Sequence, residues 1–287
     1  MPPGASLAVT AASGQLGGRV ARRLAAAGVA QRLVVRDPAR APRLPGAEVV
    51  AAAYQDGEAM RHALDGVATL LLVSASEQEG RVRVHTSAVD AAVAAGVGRI
   101  VYVSFLAAAE DATFTFARDH WHTEQHVRAA GVRHTFLRDS LYLDYVPLFA
   151  GGDGVIRGPA GDGRVAGVAR DDVADVAVAV LLGEGHDGRT YDLTGPEAFT
   201  LAGAAEELSR ASGRAVSYHA ETVEEAYASR ASFGAPGWVV DGWVSTYLAI
   251  AAGELDVTSD AVARLAGHPP AGLTAWLRGN PDGWRHL

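Results

Sequence analysis

Two residue types are missing from this chain of 287 residues: it has no cysteine, and all 25 of its cationic side chains are arginine, so it has no lysine. Without cysteine there is no thiol nucleophile, disulfide, iron–sulfur cluster or cysteine-ligated zinc. Without lysine there is no Schiff-base enzyme, no phosphate-loop lysine and no Tyr-x-x-x-Lys catalytic pair. These absences exclude several classes of catalyst before any motif is considered.

The charge balance is acidic, with 33 carboxylates against 25 arginines and a net charge of -8. The arginines are scattered, whereas nucleic-acid binding needs clustered cations, so we expect no nucleic-acid partner. No stretch approaches the roughly 20 apolar residues that a membrane-spanning helix requires, and no basic residue lies among residues 1–12, so we expect no membrane and a cytoplasmic location. The expected partner is a small-molecule substrate. The sequence is also compatible with a homodimer.

Short apolar runs alternate with helical periods through the first half of the chain. The runs span residues 7–10, 32–35, 48–52, 68–73, 99–104 and 134–137. Their continuous hydrophobicity is typical of strands buried on both faces, which indicates a parallel sheet. Helix patterns between them end at Gly28 and Gly96, in the position that glycine prefers after a helix. We therefore predict an α/β protein made of βαβ units.

The pattern predicts two domains, of which the first covers residues 1–150. Residues 164–195 are expected to return to its sheet, and residues 196–287 to form a small second domain, in which Thr222 and Glu225 fit a capping box. Residues 151–163 hold six glycines and one proline. This composition indicates either a mobile loop over a site or an ordinary hairpin turn.

A glycine-containing loop follows the first predicted strand and opens the first predicted helix, which is the setting of a dinucleotide-binding turn. Its glycines let backbone amides approach a pyrophosphate at the positive end of the helix. The candidate cofactor-binding residues in this loop are Thr10, Ala11, Ser13, Gly14, Gln15 and Leu16. Ala11 stands where such loops have their first glycine, and the backbone there tolerates its Cβ if the local φ is negative.

The second predicted strand ends at Val35-Arg36-Asp37, about 20 residues after the glycines. An acid at this point accepts from the ribose 2′-hydroxyl of NAD, whereas an arginine binds the 2′-phosphate of NADP. Arg36 therefore indicates NADPH. The alternatives are that Arg36 is a solvated surface residue, and that Asp37 serves NAD.

The carboxyl ends of predicted strands 4 and 6 carry polar residues at the edge where open α/β sheets bind ligands. We assign Ser74, Ala75, Ser76 and Arg138 to cofactor binding and place Tyr142 against the nicotinamide. The serines are equally compatible with helix capping, and Tyr142 with an ordinary surface hydroxyl.

A cluster of histidines and a glutamate lies on one predicted helix. His122 and His126 are spaced as metal ligands are, but a solvated helix face explains the pair better, and we expect no metal. His120 and Glu124 lie where a Tyr-x-x-x-Lys pair would fall. We therefore consider His120 a catalytic candidate.

Together these residues resemble the NmrA-like atypical short-chain dehydrogenases, and within them the NAD(P)H:quinone oxidoreductase type 2 group. Residues 9–17 are similar to the group's Gly-Ala-Thr-Gly-Gln-Leu-Gly loop, and residues 35–40 to its Val-Arg-Asn-Pro-Ala-Lys segment. Residues 137–142 are similar to its Leu-Arg-Asn-Gly-x-Tyr turn. The chain departs from the pattern at Ala11, at Ala53 where an aspartate is typical, and at Asp139-Ser140, which replace Asn-Gly.

The resemblance implies a Rossmann-like, doubly wound parallel sheet with a small C-terminal α/β substrate domain. It also implies NADPH as cofactor and hydride transfer to a quinone or a similarly electron-poor conjugated acceptor. The product oxygen would take its proton from solvent or from a donor such as Tyr142 or His120. Two alternatives stay open: a redox-sensing regulator that binds NADPH without turnover, and a pathway-specific enone or dye reductase.

Overall fold

The computed structural model describes residues 6–287 and contains an alternation of strands and helices. The strands are β1 (Leu7–Thr10), β2 (Gln31–Val35), β3 (Ala47–Ala51), β4 (Thr69–Val73), β5 (Arg99–Phe105), β6 (Arg133–Asp139), β7 (Val155–Gly158), β8 (Arg164–Val165), β9 (Arg189–Leu193), β10 (Phe199–Thr200) and β11 (Ser217–Ala220). The helices are α1 (Gln15–Ala26), α2 (Gly57–Ala63), α3 (Arg81–Ala94), α4 (Thr115–Ala129), α5 (Arg170–Leu182), α6 (Leu201–Ser212), α7 (Val223–Arg230), α8 (Gly237–Ala251), α9 (Ala261–Ala266) and α10 (Leu273–Gly279). None of the helices in this described part is long and apolar enough to cross a bilayer.

Seven strands form one sheet in the order β3-β2-β1-β4-β5-β6-β9. The pairings β3-β2, β2-β1, β1-β4 and β4-β5 are all parallel. The order reverses direction between β1 and β4, which is the point where open α/β sheets bind ligands. The predicted Rossmann-like fold is confirmed, because a doubly wound parallel sheet has this order.

The central strands are buried because their side chains pack under helices on the sheet faces. Tyr102 of β5 and Phe136 of β6 are the largest fully buried side chains in this core, and Met60 of α2 and Leu64 at the C-cap of α2 pack into the same cluster. Burying side chains of this size stabilises the fold by about 1.5 to 3 kcal/mol each. The sheet is therefore a rigid support for the loops at its carboxyl edge.

The chain divides into two compact units. The first contains the chain up to Phe105 together with residues 119–138 and 173–191, and the second contains residues 106–118, 139–172 and 192–287. The second unit includes two small sheets, an antiparallel pair of β8 and β10 and a parallel pair of β7 and β11. The domain boundaries that the sequence indicated stay a prediction.

The glycine-rich residues 151–163 contain both a tight turn and a strand. Gly151 donates its N–H to the carbonyl of Val155 at 3.1 Å, and an antiparallel bridge joins Ala150 to Ile156, so the expected hairpin turn is present at the start of the segment. The chain then continues as β7, which pairs in parallel with the distant β11. The expectation of a mobile loop over a site stays a prediction. Ile156 is fully buried, and a Cβ placed on Gly158 would lie 2.2 Å from the ring of Tyr247. The glycine is there because the aromatic ring packs directly on the backbone. The capping box of Thr222 and Glu225 at the start of α7 is confirmed.

Candidate active site

The loop between β1 and α1 presents its backbone at the start of the helix. Gly14 is the exposed N-cap residue of α1, and its N–H donates to the carbonyl of Ala11 at 2.8 Å. A Cβ on Gly17 would lie 2.5 Å from that same carbonyl oxygen, so only glycine fits where the helix crosses the loop. The loop therefore has the close backbone approach and the exposed helix N-terminus that a pyrophosphate requires.

Ala11 does not have the negative φ at which a Cβ is tolerated without strain. Its φ is 49°, in the left-handed region, where an L residue with a Cβ is strained. This conformation points the Ala11 carbonyl at Gly14, whose N–H donates to it. The alanine therefore takes the conformation of the glycine that it replaces.

The remaining loop residues differ in the burial and the hydrogen bonding of their side chains. Thr10 is fully buried, and its hydroxyl donates to the carbonyl of Leu71 at 3.0 Å and accepts from the N–H of Val73 at 2.9 Å. Its side chain thus joins β1 to β4. Ser13 is half-buried, Leu16 is buried, and Gln15 is exposed.

Arg36 and Asp37, at the end of β2, are both exposed but are used differently. The carboxylate of Asp37 accepts from the N–H of Ala39 at 3.0 Å and so caps a single turn of 3-10 helix, Pro38–Arg40. The Asp37 side chain is therefore engaged in its own turn. Arg36 follows the last residue of the strand. Burial raises the pKa of Tyr54 above its usual value, and the positive charge of Arg36 offsets part of that rise.

The segment after β4 is held by two buried side chains that the sequence analysis missed. Ala75 donates its N–H to Nε2 of His85 at 2.9 Å and accepts at its carbonyl from Nε of Arg81 at 2.9 Å. Ser74 beside it is half-buried, and Ser76 is exposed. Positions 81, 85, 88 and 92 form one buried stripe of α3, so helical periodicity was the signal that placed both polar residues in the core.

His120 is buried in the same network and is not free to act as an acid. Its Nε2 lies 3.2 Å from Nη2 of Arg81, which can only donate, and its Nδ1 lies 2.9 Å from the hydroxyl of Tyr102. Burial first, and then the charge of Arg81, lower the pKa of His120 well below its usual value. The ring is therefore neutral, with Nε2 accepting and Nδ1–H donating to Tyr102, and a catalytic role for it stays a prediction without support from these contacts.

Glu124 is the second member of the pair on α4, and it is fully buried. Its carboxylate accepts from Nε and Nη2 of Arg138 at 2.8 and 2.7 Å and from the hydroxyl of Ser104 at 2.7 Å. This bidentate pair joins α4 to the end of β6. Arg138 therefore has a structural partner, and its predicted contact with the cofactor stays a prediction.

The two metal-spaced histidines do not converge. His126 pairs with Asp90 of α3 at 2.6 Å, and His122 is exposed with its ring against Trp121. Within residues 6–287, no group of three or more possible ligands has a geometry that would hold a metal ion.

Tyr142 lies in the second unit, in the turn that follows β6. Its hydroxyl donates a short hydrogen bond to the carboxylate of Asp139, and its ring lies 4.4 Å below the guanidinium of Arg170, which pairs with Asp144 at 2.8 Å. Burial, and next the charge of Asp139, raise the pKa of Tyr142 well above its usual value. The phenol therefore keeps its proton and directs it at a carboxylate.

The sheet order, the glycine loop and the arginine at the end of β2 define a dinucleotide-binding α/β protein. The sequence matches the NAD(P)H-binding family over residues 11–184. The chain therefore belongs to this family.

Three comparisons extend over most of the chain. Quinone oxidoreductase 2 of Escherichia coli (strain K12) is 36% identical over 274 residues, which are 93% of this chain and 96% of that protein. A reductase of Streptomyces griseus that acts on (4-alkanoyl-5-oxo-2,5-dihydrofuran-3-yl)methyl phosphate is 40% identical over 222 residues, 76% of this chain and 78% of that protein. A crystal structure of an NADPH-dependent quinone oxidoreductase from Escherichia coli, complexed with NADPH, has a TM-score of 0.87 at 34% identity and covers 95% of this chain and 99% of that one. The chain is an NAD(P)H-dependent oxidoreductase.

Proposed function

We propose that this oxidoreductase uses NADPH to reduce a quinone or a similarly electron-poor conjugated acceptor. The observation that carries the choice of NADPH is the pair at the end of β2, where Asp37 caps its own turn while Arg36 is exposed. A guanidinium binds a phosphate with charge-assisted hydrogen bonds, whereas an acid is needed for the ribose hydroxyl of NAD.

The loop residues fit a dinucleotide because the backbone is accessible where phosphate would lie. Gly14 is exposed, and Gly17 lets the helix start directly against the loop. The backbone from Thr10 to Leu16 would hold the pyrophosphate, Arg36 the 2′-phosphate, and the segment Ser74–Ser76 the nicotinamide. When bound, NADPH supplies a hydride.

The protein's part in the reaction is to hold the acceptor still and to exclude water, since proximity lowers the barrier to hydride transfer. Tyr142 is the proposed source of the proton for the reduced oxygen, with solvent as the alternative source. Its hydroxyl is protonated at neutral pH and bonded to Asp139, so it would have to leave that carboxylate to serve the acceptor. We therefore assign it an auxiliary role.

The Escherichia coli relative is named a quinone oxidoreductase, which supports a quinone as the acceptor of this chain. The Streptomyces griseus relative is named for a substrate that carries a carbonyl beside a ring double bond, which supports a conjugated enone as the second candidate. Both classes accept a hydride without prior protonation by a strong acid.

The test is a panel assay that follows oxidation of NADPH and NADH with quinones, cyclic enones and dyes. We expect turnover with NADPH and at least one quinone, and weaker turnover with NADH. Preference for an enone over every quinone supports the second candidate. Tight NADPH binding without turnover of any acceptor contradicts the proposal and favours a sensing role.

A further inference from the structure

Both backbone polar groups of Ala75 are bound by side chains from α3. The N–H donates to His85 and the carbonyl accepts from Arg81, each at 2.9 Å. Ala75 follows the end of β4, where the ladder of sheet hydrogen bonds has stopped and water would ordinarily satisfy the backbone. Two buried side chains therefore replace the sheet in holding this residue.

His85 is fully buried and has one defined tautomer. Because the Ala75 N–H can only donate, Nε2 of His85 accepts, and Nδ1–H donates to the hydroxyl of Thr123 at 2.9 Å. Thr123 in turn donates to the carbonyl of Asp119 at 2.8 Å. Burial, and then the charge of Arg81, lower the pKa of His85 to about 3, so the ring stays neutral and its acceptor stays available.

Arg81 is 4% exposed, and three groups surround its guanidinium. Its Nε donates to Ala75, Nη2 donates to His120, and Nη1 lies 3.8 Å from the carboxylate of Asp119. A buried guanidinium is costly to desolvate, and a helix needs no arginine at this position for its own stability. The geometry is that of a side chain kept in place to fix the backbone it binds.

We propose that His85 and Arg81 are positioning residues that fix the conformation of Ser74–Ser76, and through it the placement of the nicotinamide for hydride transfer. The inference rests on the proposed function, which assigns the nicotinamide to this segment. Neither side chain needs to touch the cofactor. A displacement of about 1 Å in a supporting element can lower a rate by about 100-fold, so loss of one of these bonds is expected to appear in the rate.

The test compares His85→Leu, which removes the acceptor, with His85→Gln, whose side-chain oxygen can reach the position of Nε2. Thr123→Val is a second variant, which keeps the histidine but removes the hydroxyl that orients it. His134→Leu is the matched control, because His134 is a partly buried histidine that contacts Val132 and Phe136 instead of Ala75. Each variant is checked for thermal unfolding before use.

Two readouts are measured: the single-turnover rate of NADPH oxidation by an excess of quinone, and amide hydrogen exchange of residues 73–78 with and without NADPH. We expect His85→Leu to lower the rate by 10-fold or more, with the NADPH dissociation constant changed less than about 3-fold because the loop and Arg36 are untouched. Thr123→Val should lower the rate less, and His85→Gln and His134→Leu should stay within about 3-fold of the wild type. NADPH should slow exchange at residues 73–78 in the wild type and not in His85→Leu.

The inference is overturned if His85→Leu, or Thr123→Val where the leucine variant does not fold, keeps the wild-type rate and exchange. Equal losses in His85→Leu and His85→Gln overturn it as well, because the acceptor would then not be what matters. A wild type that binds NADPH with slowed exchange at residues 73–78 but reduces no acceptor contradicts the proposed function alone. If no nicotinamide nucleotide binds, both ideas fail.

Discussion

Replacing Ala11 by glycine should stabilise the protein, because Ala11 is held at a φ of 49°. A left-handed conformation costs a residue with a Cβ about 1 to 2 kcal/mol, a cost that glycine does not bear. Glycine in turn gives the unfolded chain more conformational freedom, which costs about 0.4 to 1 kcal/mol. The difference is a gain of about 0.5 to 1 kcal/mol in the free energy of unfolding.

The assay is urea denaturation of the apoprotein, supported by the melting temperature, which a gain of this size raises by roughly 1 to 4 °C. Ala107 is the matched control, since it is the other non-glycine residue with a positive φ in the described part of the chain, at 57°, and it lies outside the nucleotide loop. Ala107→Gly should give a similar gain in stability.

The two variants should differ in what they do to the cofactor. Ala11→Gly leaves the carbonyl that accepts from Gly14 in the same orientation, so NADPH affinity should be kept or increased. Ala107→Gly should leave that affinity unchanged. A loss of stability in Ala11→Gly, or clearly weaker NADPH binding, would refute the assignment of this loop as a glycine-type dinucleotide turn that carries a strained alanine.

Three further predictions concern charge and protons. Arg36→Ala should weaken NADPH binding by about 1 to 3 kcal/mol in a fluorescence titration and leave NADH binding nearly unchanged. The control is Arg61→Ala, which removes another exposed arginine, and equal affinity of the wild type for NADPH and NADH would contradict the role of Arg36. Burial lowers the pKa of His85 to about 3, so between pH 6.5 and about pH 3 the unfolded chain binds a proton at this residue that the folded chain does not. The free energy of unfolding should therefore fall, as the pH is lowered through this range, by up to about 1.4 kcal/mol per pH unit because of His85. The fall with decreasing pH should be smaller in His85→Gln, which has no group that titrates there. Tyr142→Phe should lower turnover by about 10-fold, and complete loss with normal NADPH binding would make the phenol an essential acid.

The sheet could be predicted because buried parallel strands have a simple signature. Each of the six predicted runs overlaps a strand by most of its length, and β1 was predicted with its observed bounds, Leu7–Thr10. The strand β7 was not predicted within residues 151–163, because glycine is ambiguous in a sequence. It signals conformational freedom in one place and close packing in another, and Gly158 is there because of the ring of Tyr247, almost ninety residues away.

The backbone conformation of the candidate site was harder to predict from the sequence than the identity of its residues. The sign of φ at Ala11 follows from a hydrogen bond to Gly14 and from the closeness of Gly17, and neither is visible in composition or spacing. The network around Arg81 was missed for a related reason. An arginine and a histidine on a helix are ordinarily solvated, and their burial here depends on contacts with the segment after β4 and with α4 that only the folded chain brings together.

The hydrogen bonds of the two candidate acids, His120 and Tyr142, bear on the class of acceptor that we propose. His120 is neutral and its Nε2 lone pair is engaged by Arg81, while the proton of Tyr142 is directed at Asp139. A simple ketone needs a proton donor as the hydride arrives, because a localised alkoxide is costly in a site that excludes water. A quinone or an enone instead spreads the negative charge over a conjugated system and can be protonated afterwards. To give up a proton, His120 would have to break its Nδ1–H bond to Tyr102, and Tyr142 its bond to the carboxylate of Asp139, which supports the proposed conjugated acceptors over isolated carbonyls.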